Sequence, residues 1–195
     1  MSNNTIIEGI NYGPLAALVG TWEGDKGMDR SPEPDGTEEN PYFETILFEA
    51  IGDVTNGEEQ VLVCLRYHQV VSRKSTQKVF HNETGYWMWD AKTGVIMHSL
   101  TIPRSVCVLA GGTFDASNTG QSPVNIEVKA ALGDKDWGII QSPFMLEKAR
   151  TVSFAHNISV EGDTLTYSET TGLEIYGKSF DHTDANVLTR VQNPQ

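Results

Sequence analysis

Cysteine, helical periodicity, long apolar runs and positive charge are all scarce in this 195-residue chain, and each shortage removes a class of function. The two cysteines, Cys64 and Cys107, lie far apart in apolar, strand-like sequence. Such a pair fits neither a disulfide framework nor a zinc knuckle, so both are expected as reduced core residues. Lys and Arg number 14 against 26 Asp and Glu, a formal net charge of -12. That balance repels phosphate backbones and anionic lipid and argues against nucleic acid as a partner. No apolar run is long enough for a membrane span, and Met1 to Thr5 carries neither a positive cluster nor an apolar segment ahead of a cleavage site. No membrane association and a cytoplasmic location are therefore expected.

What is present is a pattern of strands. The length suits one core, read as a single domain over 1–195 with its barrel core at about 15–190. A hydrophobic fraction of 38% and four tryptophans exclude a disordered chain. One short N-terminal helix is predicted over Tyr12 to Val19, with Pro14 in its first turn, Leu15, Leu18 and Val19 at helical spacing and Gly20 to end it. The Pro-, Gly- and acid-rich run from Asp29 to Pro41 has no periodic apolar pattern and reads as a surface loop, 29–41.

From Tyr42 onward the period is two. Tyr42, Glu44, Ile46 and Phe48 alternate with Phe43, Thr45 and Leu47 before the turn residues Asn56 and Gly57. Val61 to Val71, Lys78 to Asp90 with a bend at Gly85, and Val95 to Ile102 follow as strands. Val106 to Leu109, Val124 to Leu132, Thr151 to Val160, Thr164 to Thr170 and Leu173 to Tyr176 continue the series, with Gly162 and Asp163 turning a hairpin. This many strands on short turns must close to remove their edges. The fold expected is all-β, a closed antiparallel up-and-down barrel of about ten strands, with an open sandwich as the alternative.

Several residue types suit chemistry. His182 is read as following the last strand. There it could present one nitrogen to an iron at the mouth of a pocket, or simply cap the strand. His81 shares a strand face with Val79 and Glu83, and either points into the barrel or is a buried histidine bonded to Glu83 or a backbone carbonyl. Thr101, Ile102, Pro103 and Arg104 could line a rim, where the Arg104 guanidinium suits a carboxylate or an ordinary surface partner. Phe80, Trp87, Met88 and Trp89 would make flat apolar walls, and such residues also fill the core of any barrel. Trp22 reads as a plug under the floor. His68, His98 and His156 lack the short ligand spacing of structural zinc sites, and no Gly-x-Ser-x-Gly nucleophile elbow occurs.

Leu18-Val19-Gly20-Thr21-Trp22-Glu23-Gly24 resembles the opening Gly-x-Trp-x-Gly signature of calycin-type barrels, in particular of the nitrobindins. His81-Asn82-Glu83-Thr84-Gly85-Tyr86-Trp87, Thr101-Ile102-Pro103-Arg104 and Gly177 to Arg190 resemble later blocks of that family in the same order. The resemblance spans about Leu15 to Arg190. It implies a barrel holding b-type haem, with His182 as the proximal iron ligand and His81 near the distal face. Phe80, Thr101, Ile102, Arg104 and Leu173 complete the expected cofactor-binding set. It also implies nitric oxide binding and isomerisation of peroxynitrite to nitrate. The chain departs from the family pattern where the third glycine shifts to Gly27, where 29–41 is enlarged, and at Arg104-Ser105, which marks a divergent branch. The alternative is a carrier of a fatty acid or other apolar molecule, with Arg66, Arg104 or Tyr67 gripping a carboxylate. An unpaired edge at an imperfect closure would favour a homodimer.

Overall fold

A computed structural model describes residues 4–192. Two short strands, β1 (Ile6–Ile7) and β2 (Ile10–Asn11), precede a 3-10 turn at Gly13–Ala17. The remaining strands are β3 (Gly20–Glu33), β4 (Gly36–Asn56), β5 (Gln60–Arg73), β6 (Val79–Trp89), β7 (Val95–Ile102), β8 (Val106–Thr113), β9 (Val124–Ala131), β10 (Ile139–Gln141), β11 (Ala149–Glu161), β12 (Thr164–Ile175) and β13 (Lys178–Gln192). One α-helix, α1 (Pro143–Lys148), stands before β11 and is capped by the Ser142 side chain.

Antiparallel pairing runs β8-β7-β6-β5-β4-β3-β13-β12-β11-β9, and β9 returns to β8 through Gly111 and Lys129. These ten strands close the ring, and β10 adds to β8 outside it. Closure leaves few backbone groups of the ring unpaired, which is why a long meander settles into a barrel. The period-two reading holds in detail: Tyr42, Glu44, Ile46 and Phe48 point inward and are buried, while Phe43 and Leu47 are exposed. Close approach shapes the wall at Gly85, where an added Cβ would collide with the Ser99 carbonyl oxygen on β7.

Four expectations are corrected. Tyr12 to Val19 is not an α-helix: only Gly13–Ala17 is wound, as a 3-10 turn, because Gly13 takes a positive φ and the segment must press flat against Trp89 to cap the barrel. Residues 29–41 are not a surface loop but the paired ends of β3 and β4, with Asp29 opposite Asn40. Their inward side chains are polar, so no apolar period marks them. Leu173 to Tyr176 is not the last strand: Leu173 to Ile175 end β12, Tyr176 starts the turn after it, and β13 follows and carries His182 within it. Cys107 is exposed on β8, and only Cys64 is buried.

The closed end is filled by Leu15, Leu18, Trp22, Leu65 and Trp89. Trp22 donates Nε1–H to the Leu18 carbonyl at 2.6 Å, and the Arg190 guanidinium lies 4.1 Å over its ring. Each fully buried leucine there contributes roughly 1.5–3 kcal/mol. The opposite end is open.

Candidate functional site

The open end leads into a cavity of about 320 Å³. That lies at the small end of the range for ligand pockets, roughly 300–1,000 Å³. Its lining is of two kinds. Val71, Leu100, Ile102, Val108, Phe154 and Leu173 are apolar. Asp29, His81, Glu83, Glu169, His182 and Asp184 are polar.

His182 lies on β13 between β12 and β3, and its inward direction follows from alternation with Asp181 and Thr183. Its Nε2 lies 2.6 Å from Asp29 Oδ1 and 3.4 Å from Asp184 Oδ2. Asn40 Nδ2–H donates to the other Asp29 oxygen at 2.9 Å, so the carboxylate is buried but satisfied. Burial alone lowers the His182 imidazole, yet the Asp29 hydrogen bond and the charges of Asp184, Asp29 and Glu169 hold it above the ordinary histidine value. For Asp29 burial pushes upward, and the hydrogen bonds from His182, Asn40 and Ser31 hold it below the usual carboxylate range. Burial raises Asp184 to about 7, helped by Glu169 and Asp29 and opposed by His182 and His81.

His81 lies on β6, across the cavity from β13 with β5, β4 and β3 between them on one side. A register shift opposite Val71 and Ser72 leaves Phe80 as the extra residue of β6, and both Phe80 and His81 reach the cavity. His81 Nε2 lies 3.4 Å from Glu83 Oε2. Burial lowers the His81 imidazole, but the hydrogen bond and charge of Glu83 raise it further, so the net shift is upward. Deeper still, Glu44 accepts hydrogen bonds from Gln69, Tyr167 and Asn186 at 2.6, 2.9 and 2.7 Å, and burial pushes it up to about 7 against those donors.

Of the residues singled out from sequence, His182, His81, Phe80, Ile102, Arg104 and Leu173 line the cavity. Thr101 does not: it alternates with Ile102 and faces solvent beside Cys107. Arg104 stands at the mouth and donates to the Phe80 carbonyl at 3.3 Å. Arg66 is turned outward onto Glu49 at 2.7 Å, and Tyr67 is committed to Glu83 at 2.5 Å, so neither is free to grip a fatty acid. Trp87 and Trp89 are core, not cavity wall. Asp29, Glu169 and Asp184 were missed. Only the spacing of Asp184 two residues after His182, on one strand face, could have signalled them.

The donor set suits a haem. One imidazole stands on the wall with a buried carboxylate fixing its ring, apolar side chains flank it, and Arg73 and Arg104 stand among the lining residues. No helix among the described residues is long and apolar enough to cross a membrane. No curated protein matches the chain. Among solved structures, the crystal structure of Rv2717c from M. tuberculosis superposes with a TM-score of 0.64 at 22% sequence identity, covering 90% of this chain and 94% of that one, which shows a shared fold. The family model of the THAP4-like, heme-binding beta-barrel domain matches residues 11–190, and the chain belongs to that family.

Proposed function

We propose that this barrel binds b-type haem non-covalently, with His182 as the iron ligand and His81 on the opposite wall. The observation that carries the reading is the buried Asp29 carboxylate, which grips one nitrogen of His182 and fixes the ring at the cavity wall. A carboxylate in this position orients a ligating imidazole and raises its basicity. Val71, Leu100, Val108 and Phe154 would pack against the flat faces of the macrocycle, and Arg104 at the mouth suits a propionate. Bound haem would supply a Lewis-acidic, redox-active iron for a diatomic gas or a reactive nitrogen species.

His81 then has a definite part. Glu83 keeps it inclined to carry a proton, so it offers a charge-assisted hydrogen bond to an anion entering the cavity. That preference suits peroxynitrite, itself an anion, and is the support for an isomerase activity. Arg66 is engaged by Glu49 and Tyr67 by Glu83, so two of the three groups that a carrier would use to grip a fatty-acid carboxylate are taken, which favours haem over the lipid-carrier alternative.

An absorption titration of the purified protein with hemin, beside His182→Ala, tests the reading. A saturable Soret band near one equivalent that His182→Ala abolishes is the expected result. Weak, non-saturating binding that the substitution leaves unchanged would refute it.

A further inference from the structure

Beneath the main cavity lies a second, of about 10 Å³, lined by His98 of β7 and His156 of β11 together with Tyr67, Glu83, Trp87 and Tyr167. Both histidines are more than nine-tenths buried. Their rings are perpendicular with centroids 5.6 Å apart, and His98 is stacked on Trp87 at 4.0 Å. Each has one engaged nitrogen. His98 Nε2 lies 2.8 Å from the Tyr67 hydroxyl, and His156 Nδ1 lies 2.9 Å from Glu169 Oε2. Among the described residues, neither His98 Nδ1 nor His156 Nε2 meets a hydrogen-bond partner.

The engaged contacts assign the protons. Tyr67 donates to Glu83 Oε1 at 2.5 Å, so its oxygen accepts from His98, and the His98 proton sits on Nε2. An ionised Glu169 accepts a hydrogen bond, which puts the His156 proton on Nδ1. Two buried lone pairs therefore remain, one on each ring, beside a single small cavity. A cavity needs on the order of 10–15 Å³ to hold a water, and a water carries two donors. Leaving both acceptors unmet would cost roughly 1–3 kcal/mol each.

We propose that His98 and His156 hold one water between them, and that this water completes a buried proton relay joining Glu169 to Glu83. Both carboxylates line the main cavity, and Glu83 is the partner of His81. With Glu169 protonated, its O–H points at His156 Nδ1 and the ring proton sits on Nε2. Glu169 then gives its proton to Nδ1 while the Nε2–H passes to the water. The water passes a proton to His98 Nδ1, the His98 Nε2–H passes to Tyr67, and the Tyr67 hydroxyl proton passes to Glu83. Each bond broken is matched by one formed, and each histidine holds one ring proton before and after. The net change is one proton moved from Glu169 to Glu83. A proton drawn from the His81 and Glu83 side is restored from the other wall without crossing the cavity, whichever ligand occupies it.

This inference does not rest on haem, and nuclear magnetic resonance of the protein without added ligand tests it. Wild type is expected to show a cross-peak from the ring protons of both histidines to one long-lived water, with His98 Nδ1 and His156 Nε2 unprotonated. In Glu169→Gln, solvent exchange of the His98 Nε2 proton is expected to slow about tenfold, or ~1.4 kcal/mol on the barrier, while the ring-current shifts from Trp87 stay in place. Absence of the water contact in wild type overturns the proposal without any variant. Unchanged exchange in a folded Glu169→Gln protein overturns the relay even if the water is there.

Discussion

The imidazole of His182 on β13 and the carboxylate of Asp29 on β3 meet at 2.6 Å, Nε2 to Oδ1, across the pairing that sets Asp184 opposite Asp29. Asn40, paired with Asp29 from β4, holds the second carboxylate oxygen at 2.9 Å. Three neighbouring strands thus fix one ring, and the hairpin of β3 and β4 serves the site as well as the wall.

Asp29→Asn leaves the side chain its size and removes its charge. Hemin affinity is expected to fall about 10- to 100-fold, the usual effect of losing the carboxylate behind a ligating histidine. Equilibrium titration followed by absorbance reads it directly. Affinity equal to wild type would show that the Asp29 contact has no part in presenting the ring.

Gly85→Ala pushes a methyl group into the Ser99 carbonyl oxygen, which is backbone and has no rotamer with which to yield. The paired strands β6 and β7 must separate locally, at a cost of about 1–3 kcal/mol or more. Urea denaturation of the variant beside wild type is expected to show a lower midpoint with the same slope. A midpoint matching wild type would mean that the two strands do not approach as described.

Stability should fall on acidification through His98. Burial first, and the repulsion of His156 second, push its imidazole down to about 3 against the opposing charge of Glu83. In the unfolded chain the same ring takes a proton near pH 6.5, as an ordinary histidine does. Between those two values the unfolded state binds the proton and the folded state does not. Its contribution is therefore complete above about pH 6.5 and is lost as the pH falls toward the folded value. From pH 7 to pH 5 the loss is about 2 kcal/mol, at ~1.36 kcal/mol per pH unit below 6.5. His98→Leu should lose that much less over the same interval, whatever its stability at pH 7. Parallel losses in the two proteins would show that His98 is charged inside the barrel.

The sequence was legible wherever inward meant apolar. On β4 the alternation of Tyr42, Ile46 and Phe48 with exposed neighbours predicts both the strand and its buried face. The same rule fails at the site. His182, Asp184 and Asn186 alternate inward on β13, and Asp29 does so on β3, but all are polar. A strand whose inner face lines a polar cavity carries no apolar period, so 29–41 reads as a loop and β13 goes unseen. Thr101 was misplaced for a simpler reason: neighbours on a strand face opposite ways, and only Ile102 of the two reaches the cavity.

By itself the sequence determined the all-β class and the turns, because alternation and the Gly57, Gly94 and Gly162 positions are local signals set by backbone sterics and side-chain period. The blocks around Trp22, His81 and His182 also pointed to a haem-binding barrel, which the match over residues 11–190 supports. Only the tertiary structure decided which groups share a cavity. Asp29 and His182 are separated by 153 positions, and Glu169 reaches His156 from the next strand. Such pairings depend on ring closure and register, where a shift of one residue would turn every one of these side chains to the outside.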